Sequence, residues 1–177
     1  FYAKTPRELM EKAAYVVMQA NGRMNETVGT LPRFRHGIIP VPPEIAPIYT
    51  SGRGGLENCL FNTYRLDQRP LYALPALALH ECTPGHSFQA ALALEAPERP
   101  DFRKDLYFSG YGEGWGLYTE WLGQEMGIYE TPYEEFGRQT YEMWRAVRLV
   151  VDTGIHDQGW SRDQALAYFR RHVAFSE

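Results

Sequence analysis

Apolar positions recur along this chain with the spacing of helices more often than with the alternation of strands. After Thr5-Pro6-Arg7-Glu8, residues Leu9, Met10, Ala13, Ala14, Val17 and Met18 fall on one helical face. The four residues before them form a capping box with proline at the first helical position, and Asn21-Gly22 is the expected stop. Thr131-Pro132-Tyr133-Glu134 repeats the device before a long helix through Met143, Val147 and Val150. Ser161-Arg162-Asp163-Gln164 does so before Ala165, Leu166 and Phe169. Two more helices are predicted, from about Pro70 to Ala93 and over about 106–126, the second stopping at Gly127; Pro97 and Pro100 mark the loop between them. The best strand candidate is LENCLFNTYRL, 56–66. Residues 31–55, with five prolines followed by Gly52, Gly54 and Gly55, read as extended and irregular. The expected fold is mainly α with one or two short strands, in a single unit without repeats or a linker.

Composition narrows the function classes. The chain has 177 residues, 44% apolar and 23% charged, which suits a packed core rather than disorder. A net charge of −4 with scattered Lys and Arg argues against nucleic acid or an anionic membrane surface as partner. No apolar run is long enough to span a bilayer. The first residue is Phe, so the chain reads as a piece of something longer and the compartment stays open. Cys59 and Cys82 are too few for a disulfide framework and read as half-buried thiols, with Cys82 a third-choice metal ligand.

Candidate chemistry centres on ALHECTPGHS, 78–87. His80 and Glu81 open a His-Glu-x-x-His pattern, but Pro84 stands where the second histidine belongs and His86 follows two residues late. On an unbroken helix His86 would be rotated from His80 by roughly 120° and lie about 9 Å further along the axis. The helix is not expected to be unbroken. Pro84 cannot donate to the His80 carbonyl, Thr83 precedes a proline, and Gly85 permits unusual angles. A bulged turn would bring His86 back to His80. Glu81, beside a ligand histidine but off its face, suits a general base.

Glu113 in SGYGEGWGLYTEWLGQEMG is the candidate third ligand, and Glu120, two turns later, suits a carboxylate that orients a ligand. Gly110, Gly112, Gly114 and Gly116 together cost a helix on the order of 4 kcal/mol relative to alanine, so close packing against the motif helix is expected to offset them. In RAVRLVVDTGIH, Arg148, Asp152 and His156 recur every four residues, and Leu149, Val150 and Val151 beside them suggest a largely buried helix. Asp152 would then orient His156, which either donates to an oxyanion or replaces His86 on the metal. His36 and His172 lack such company and read as surface residues.

Three segments, LALHECTPGHSFQ, YGEGWGLYTEWLGQEMGIY and RAVRLVVDTGIHDQGWSRDQALAYF, together resemble the core motifs of the bacterial family called domain of unknown function 885. Its His-Glu-x-x-Pro-Gly-His pattern is matched by His80, Glu81, Pro84, Gly85 and His86, and its Glu-Gly-Trp by Glu113, Gly114 and Trp115. Its Arg-Leu-Val-Val-Asp-Thr-Gly-x-His is matched by Arg148 through His156. Cys82 and Thr83 replace the usual small or apolar pair, and Ser87 a frequent histidine. The resemblance implies a helical zinc metallopeptidase-like protein, distantly similar to the angiotensin-converting-enzyme and thimet-oligopeptidase group, with zinc on His80, His86 and Glu113 and Glu81 as base. It implies that residues 1–177 are a single catalytic-core fragment of a longer helical protein, able to self-associate through the surfaces so exposed. It also implies that the strand at 56–66 offers its edge to an extended peptide, with Asn58, Asn62 or Tyr64 facing it. His156 with Tyr111, Tyr118 or Arg148 would hold an oxyanion or a substrate carboxylate. The expected activity is hydrolysis of oligopeptides. The rivals are a metal hydrolase of another amide or ester, and a non-catalytic helical module with a structural His/Glu cluster.

Overall fold

Thr5 caps the first helix by accepting the Glu8 amide, and α1 runs Pro6–Thr27. The structure, a computed structural model, describes residues 1–104 and 106–174. Helix α1 continues through the expected stop at Asn21-Gly22. Ala20 and Met24 on either side are buried in the core, and that burial outweighs the roughly 1 kcal/mol a mid-helix glycine costs. The later helices are α2 (Leu74–Glu81), α3 (His86–Glu95), α4 (Asp101–Lys104), α5 (Ser109–Glu125), α6 (Pro132–His156) and α7 (Arg162–His172). The reciprocal capping box is complete at Ser161–Gln164. In the other two, Glu8 and Glu134 accept the amides of Lys4 and Glu130, one residue before the cap. Gly127, at φ +63°, ends α5 where the sequence places it.

Residues 31–55 are more regular than expected. They contain β1 (Gly37–Pro40), a 3₁₀ turn at Ala46–Ile48 and β2 (Gly52–Arg53). With β3 (Asn58–Phe61) they form a sheet of order β1-β3-β2, β1 parallel to β3 and β2 antiparallel to it. Pro40 is tolerated because β1 is an edge strand. The strand expected at 56–66 is thus only four residues long and central, and the edge beside the site is β2. Cys59 of β3 is bonded to Cys82 just beyond α2, with Cα atoms 5.5 Å apart. This corrects the thiol reading and removes Cys82 from the possible ligands; the pairing depends on strand β3 lying against the end of α2, which a cysteine count does not reveal.

Helix α2 lies at the centre, packed against α1, α5 and α6. Leu74, Ala76, Ala78, Leu79 and His80 are all buried, so it has no solvent face to mark with polar residues. Leu9, Val16, Val17, Phe61, Leu79, Leu122 and Met126 form the core around it. Helix α6 buries Val147, but Leu149 is 74% exposed, Val150 is exposed and Val151 is only half-buried, so the expected burial is not found at 149 and 150. Among the described residues no helix is long and apolar enough to cross a membrane.

Candidate metal centre

The single helix expected from Pro70 to Ala93 is instead two. Helix α2 ends at Glu81, Cys82 leaves helical angles at φ −99°, ψ −98°, the Thr83–Pro84 peptide is cis, and α3 restarts at His86. The break folds His86 back beside His80, and the two imidazoles meet edge to face with centroids 4.7 Å apart. Gly85 sits against the His80 carbonyl: a Cβ there would lie 1.8 Å from the oxygen, so the turn closes only around glycine. The indole N–H of Trp115 donates to Pro84 O at 2.8 Å and clamps the turn to α5. His36, expected at the surface, is half-buried with Nε2 2.9 Å from Thr83 Oγ1, and burial lowers its pKa. His172 is exposed and stacks on Tyr168.

Helix α5 supplies the third donor. Glu113 Oε2 lies 3.4 Å from His80 Nε2, and its Oε1 3.6 Å from His86 Nε2. One atom from each of His80, His86 and Glu113 can be chosen so that all lie within 4.8 Å of one another. Tetrahedral zinc with ligands at 2.0–2.1 Å sets neighbouring donors about 3.3 Å apart, so the set fits zinc after small side-chain adjustments. His80 and His86 are largely covered whereas Glu113 is 60% exposed, which leaves one side of the triad open.

The same face of α5 holds His80 from behind. Gly116 packs on the imidazole, where a Cβ would lie 2.4 Å from the ring, and Gly123 packs on Leu79. The Thr119 hydroxyl donates to Leu79 O. Gly112 packs against Tyr107, while Gly110 and Gly114 face open space, so only part of the glycine run serves helix packing. His80 Nδ1–H donates to the buried Glu120 at 2.7 Å, and the guanidinium of Arg145 donates to both Glu120 oxygens. With Nδ1 so engaged, the Nε2 lone pair is left for a metal. Burial pulls the His80 pKa down, but the hydrogen bond and charge of Glu120, aided by Glu81, outweigh it and raise the pKa overall. Arg145 was not singled out from sequence. It lies three residues before Arg148, whose every-fourth-residue spacing to Asp152 and His156 is the more visible pattern in the sequence.

Glu81 faces the same cleft, about 760 Å³ in volume, as the three donors. Its Oε2 accepts the Gly54 N–H at 2.6 Å, and the Gly54 backbone is too close to Glu81 O to admit a Cβ. Tyr111 lines this cleft. The other residues singled out from sequence lie elsewhere. Asn62 is buried, its amide donating to the carbonyls of Ala46, Tyr49 and Thr50, and Tyr64 is exposed outside the cleft. Asn58 belongs to the central strand. Tyr118 is exposed and stacks between Trp115 and Trp121. Arg148 lies over Trp144, and Asp152 and His156 approach to 3.7 Å with three quarters of each side chain in solvent. His156 therefore neither joins the donor triad nor lines the cleft, because the last turns of α6 are not buried against it.

The family model described as bacterial protein of unknown function (DUF885) matches residues 1–177. The chain belongs to the DUF885 family. A crystal structure of a protein from Colwellia psychrerythraea, provisionally described as a lipoprotein, resembles this DUF885 chain at 30% identity and a TM-score of 0.93. The match covers 99% of this chain and 32% of that one, so the chain spans about a third of that protein's length. No curated protein matches it.

Proposed function

We propose that this DUF885 chain is the catalytic core of a zinc-dependent hydrolase that cleaves peptide bonds of oligopeptides. The reading rests on one observation: two imidazoles and a carboxylate stand at zinc-ligand separations in a cleft that also holds the Glu81 carboxylate. A bound zinc supplies Lewis acidity at a carbonyl and brings the pKa of a water to about 7. The remaining work falls to side chains of the chain itself. His80, His86 and Glu113 would hold the ion. The Arg145–Glu120 pair fixes the His80 ring so that its Nε2 turns toward Glu113. Glu81, held through one oxygen by the Gly54 amide, would have its other oxygen free to take a proton from an attacking water and pass it to the leaving amine. Strand β2 is the sheet edge beside Glu81, and its backbone suits pairing with an extended peptide.

Glu81→Gln tests this reading. The variant should keep one zinc per chain and lose peptide hydrolysis by about 10²–10⁴-fold. Unchanged turnover would remove Glu81 from the chemistry. Parallel assays on non-peptide amides and esters decide the substrate class.

A further inference from the structure

A second cavity, about 210 Å³, lies beside the cleft and plays no part in the chemistry above. Leu74, Leu77, Phe61 and Trp144 give it an apolar floor, and Arg69 and Tyr141 stand in its wall. Leu77 is one turn before Glu81 on the same face of α2. Gly52 packs against Leu77 and Gly54 against Glu81, so β2 and α2 run side by side from the cleft to this pocket.

Arg69 is the unusual group. It is half-buried, Nε donating to Tyr64 O at 2.6 Å and Nη1 to Ser51 Oγ at 3.1 Å. A guanidinium has five N–H donors, so about three remain. Among the described residues no carboxylate pairs with Arg69, and burial holds its pKa below the usual arginine range. A half-covered cation above an apolar floor, with spare donors in a planar fork, is suited to a carboxylate that arrives with an apolar group attached. Leu74 lies seven residues from Glu81, roughly 10 Å along the helix, the reach of about three extended residues.

We propose that this pocket receives the C-terminal residue of a peptide substrate, its apolar side chain on Leu74, Leu77 and Phe61 and its α-carboxylate on Arg69. The inference rests on the hydrolase reading. Water adds across an amide two or three residues upstream, giving a new carboxylate on the long fragment and a free amine on the short one. The products are therefore di- or tripeptides released from the C-terminus.

Binding to the Glu81→Gln form of this chain tests the idea, read by calorimetry with zinc and again without it. The probes are a pentapeptide ending in phenylalanine with a free carboxylate, the same peptide amidated, and an amidated peptide with aspartate in the last position. The free acid should bind roughly ten- to a hundredfold more tightly than its amide, the range of a charge-assisted hydrogen bond. Arg69→Met should abolish that preference while zinc content stays unchanged, with a modest fall in unfolding temperature from the lost bonds to Tyr64 O and Ser51 Oγ. Equal binding of acid and amide by the chain with Arg69 intact overturns the proposal, whether or not the Arg69 variant folds. Full recovery of affinity by the amidated aspartate peptide overturns the C-terminal assignment. A chain that takes up no zinc but still prefers the acid refutes the hydrolase reading and leaves the pocket standing.

Discussion

Replacing Glu120 by glutamine probes the support behind the donor triad with almost no change in shape. The carboxylate is 1% exposed, accepts His80 Nδ1–H at 2.7 Å and takes Arg145 Nη1 at 3.0 Å. The amide keeps one acceptor, turns the other oxygen into a donor facing His80 or Arg145, and removes the charge that balances Arg145. Hydrogen bonds to charged groups contribute about 1.5–3 kcal/mol, and orphaning one member of a buried pair costs about 3–5 kcal/mol. Arg145 keeps about a fifth of its side chain in water, which places the expected loss toward the lower range, about 2–3 kcal/mol in the zinc-free protein. Losing the acceptor that orients a ligand histidine weakens zinc by about 10–100-fold. Urea unfolding of the zinc-free chain reads the first effect, and titration against a competing chelator reads the second. Adding Arg145→Met should restore part of the stability, since no cation is then left unpaired. If Glu120→Gln unfolds at the parent's urea midpoint and binds zinc equally well, the proposed role of the His80–Glu120–Arg145 network is wrong.

Gly116→Ala puts a methyl 2.4 Å from the His80 ring and should cost about 1–3 kcal/mol along with zinc affinity. Gly114→Ala, facing open space in the same helix, should be neutral or stabilise by up to about 1 kcal/mol; thermal melts compare the two. Replacing Cys59 and Cys82 by serine opens a loop closed over a separation of 23 residues and should lower stability by about 3 kcal/mol in denaturant titration; an unchanged midpoint contradicts the pairing. Glu95 accepts the amides of Arg33 and Phe34, which hold its pKa below the usual glutamate value. Its stabilising effect is therefore present above the unfolded-state pKa and is lost as pH falls through the lower folded one. Hydrogen exchange at Arg33 and Phe34 should show that acid-side loss, and Glu95→Gln should remove it.

Helix starts were legible because capping is local: Thr5, Thr131 and Ser161 each accept the amide three residues on. That His80, His86 and Glu113 come together was legible too, since proline, glycine and a displaced histidine occur together and Glu113 sits among small residues. Features that depend on tertiary packing were not. Met24 carries α1 through Gly22 because of what it meets in the core. Strands β1 and β2 are held in place by β3, and their short proline- and glycine-rich sequences show no alternation. The apolar run Leu149–Val151 suggested burial for Asp152 and His156, but apolar residues are also common at surfaces, and here Leu149 and Val150 are exposed. Arg145 carried no distinguishing spacing; its role follows from the approach of α6 to α2.

The proposed function requires His80, His86 and Glu113 to bind one zinc ion. Zinc-edge X-ray absorption on the purified, zinc-loaded chain, compared with His86→Ala, measures it most directly. One zinc per chain is expected, with two imidazole nitrogens at about 2.0–2.1 Å and carboxylate oxygen, and loss of one nitrogen and most of the affinity in the variant. A folded chain that takes up no zinc, or one whose coordination is unaffected by His86→Ala, contradicts it.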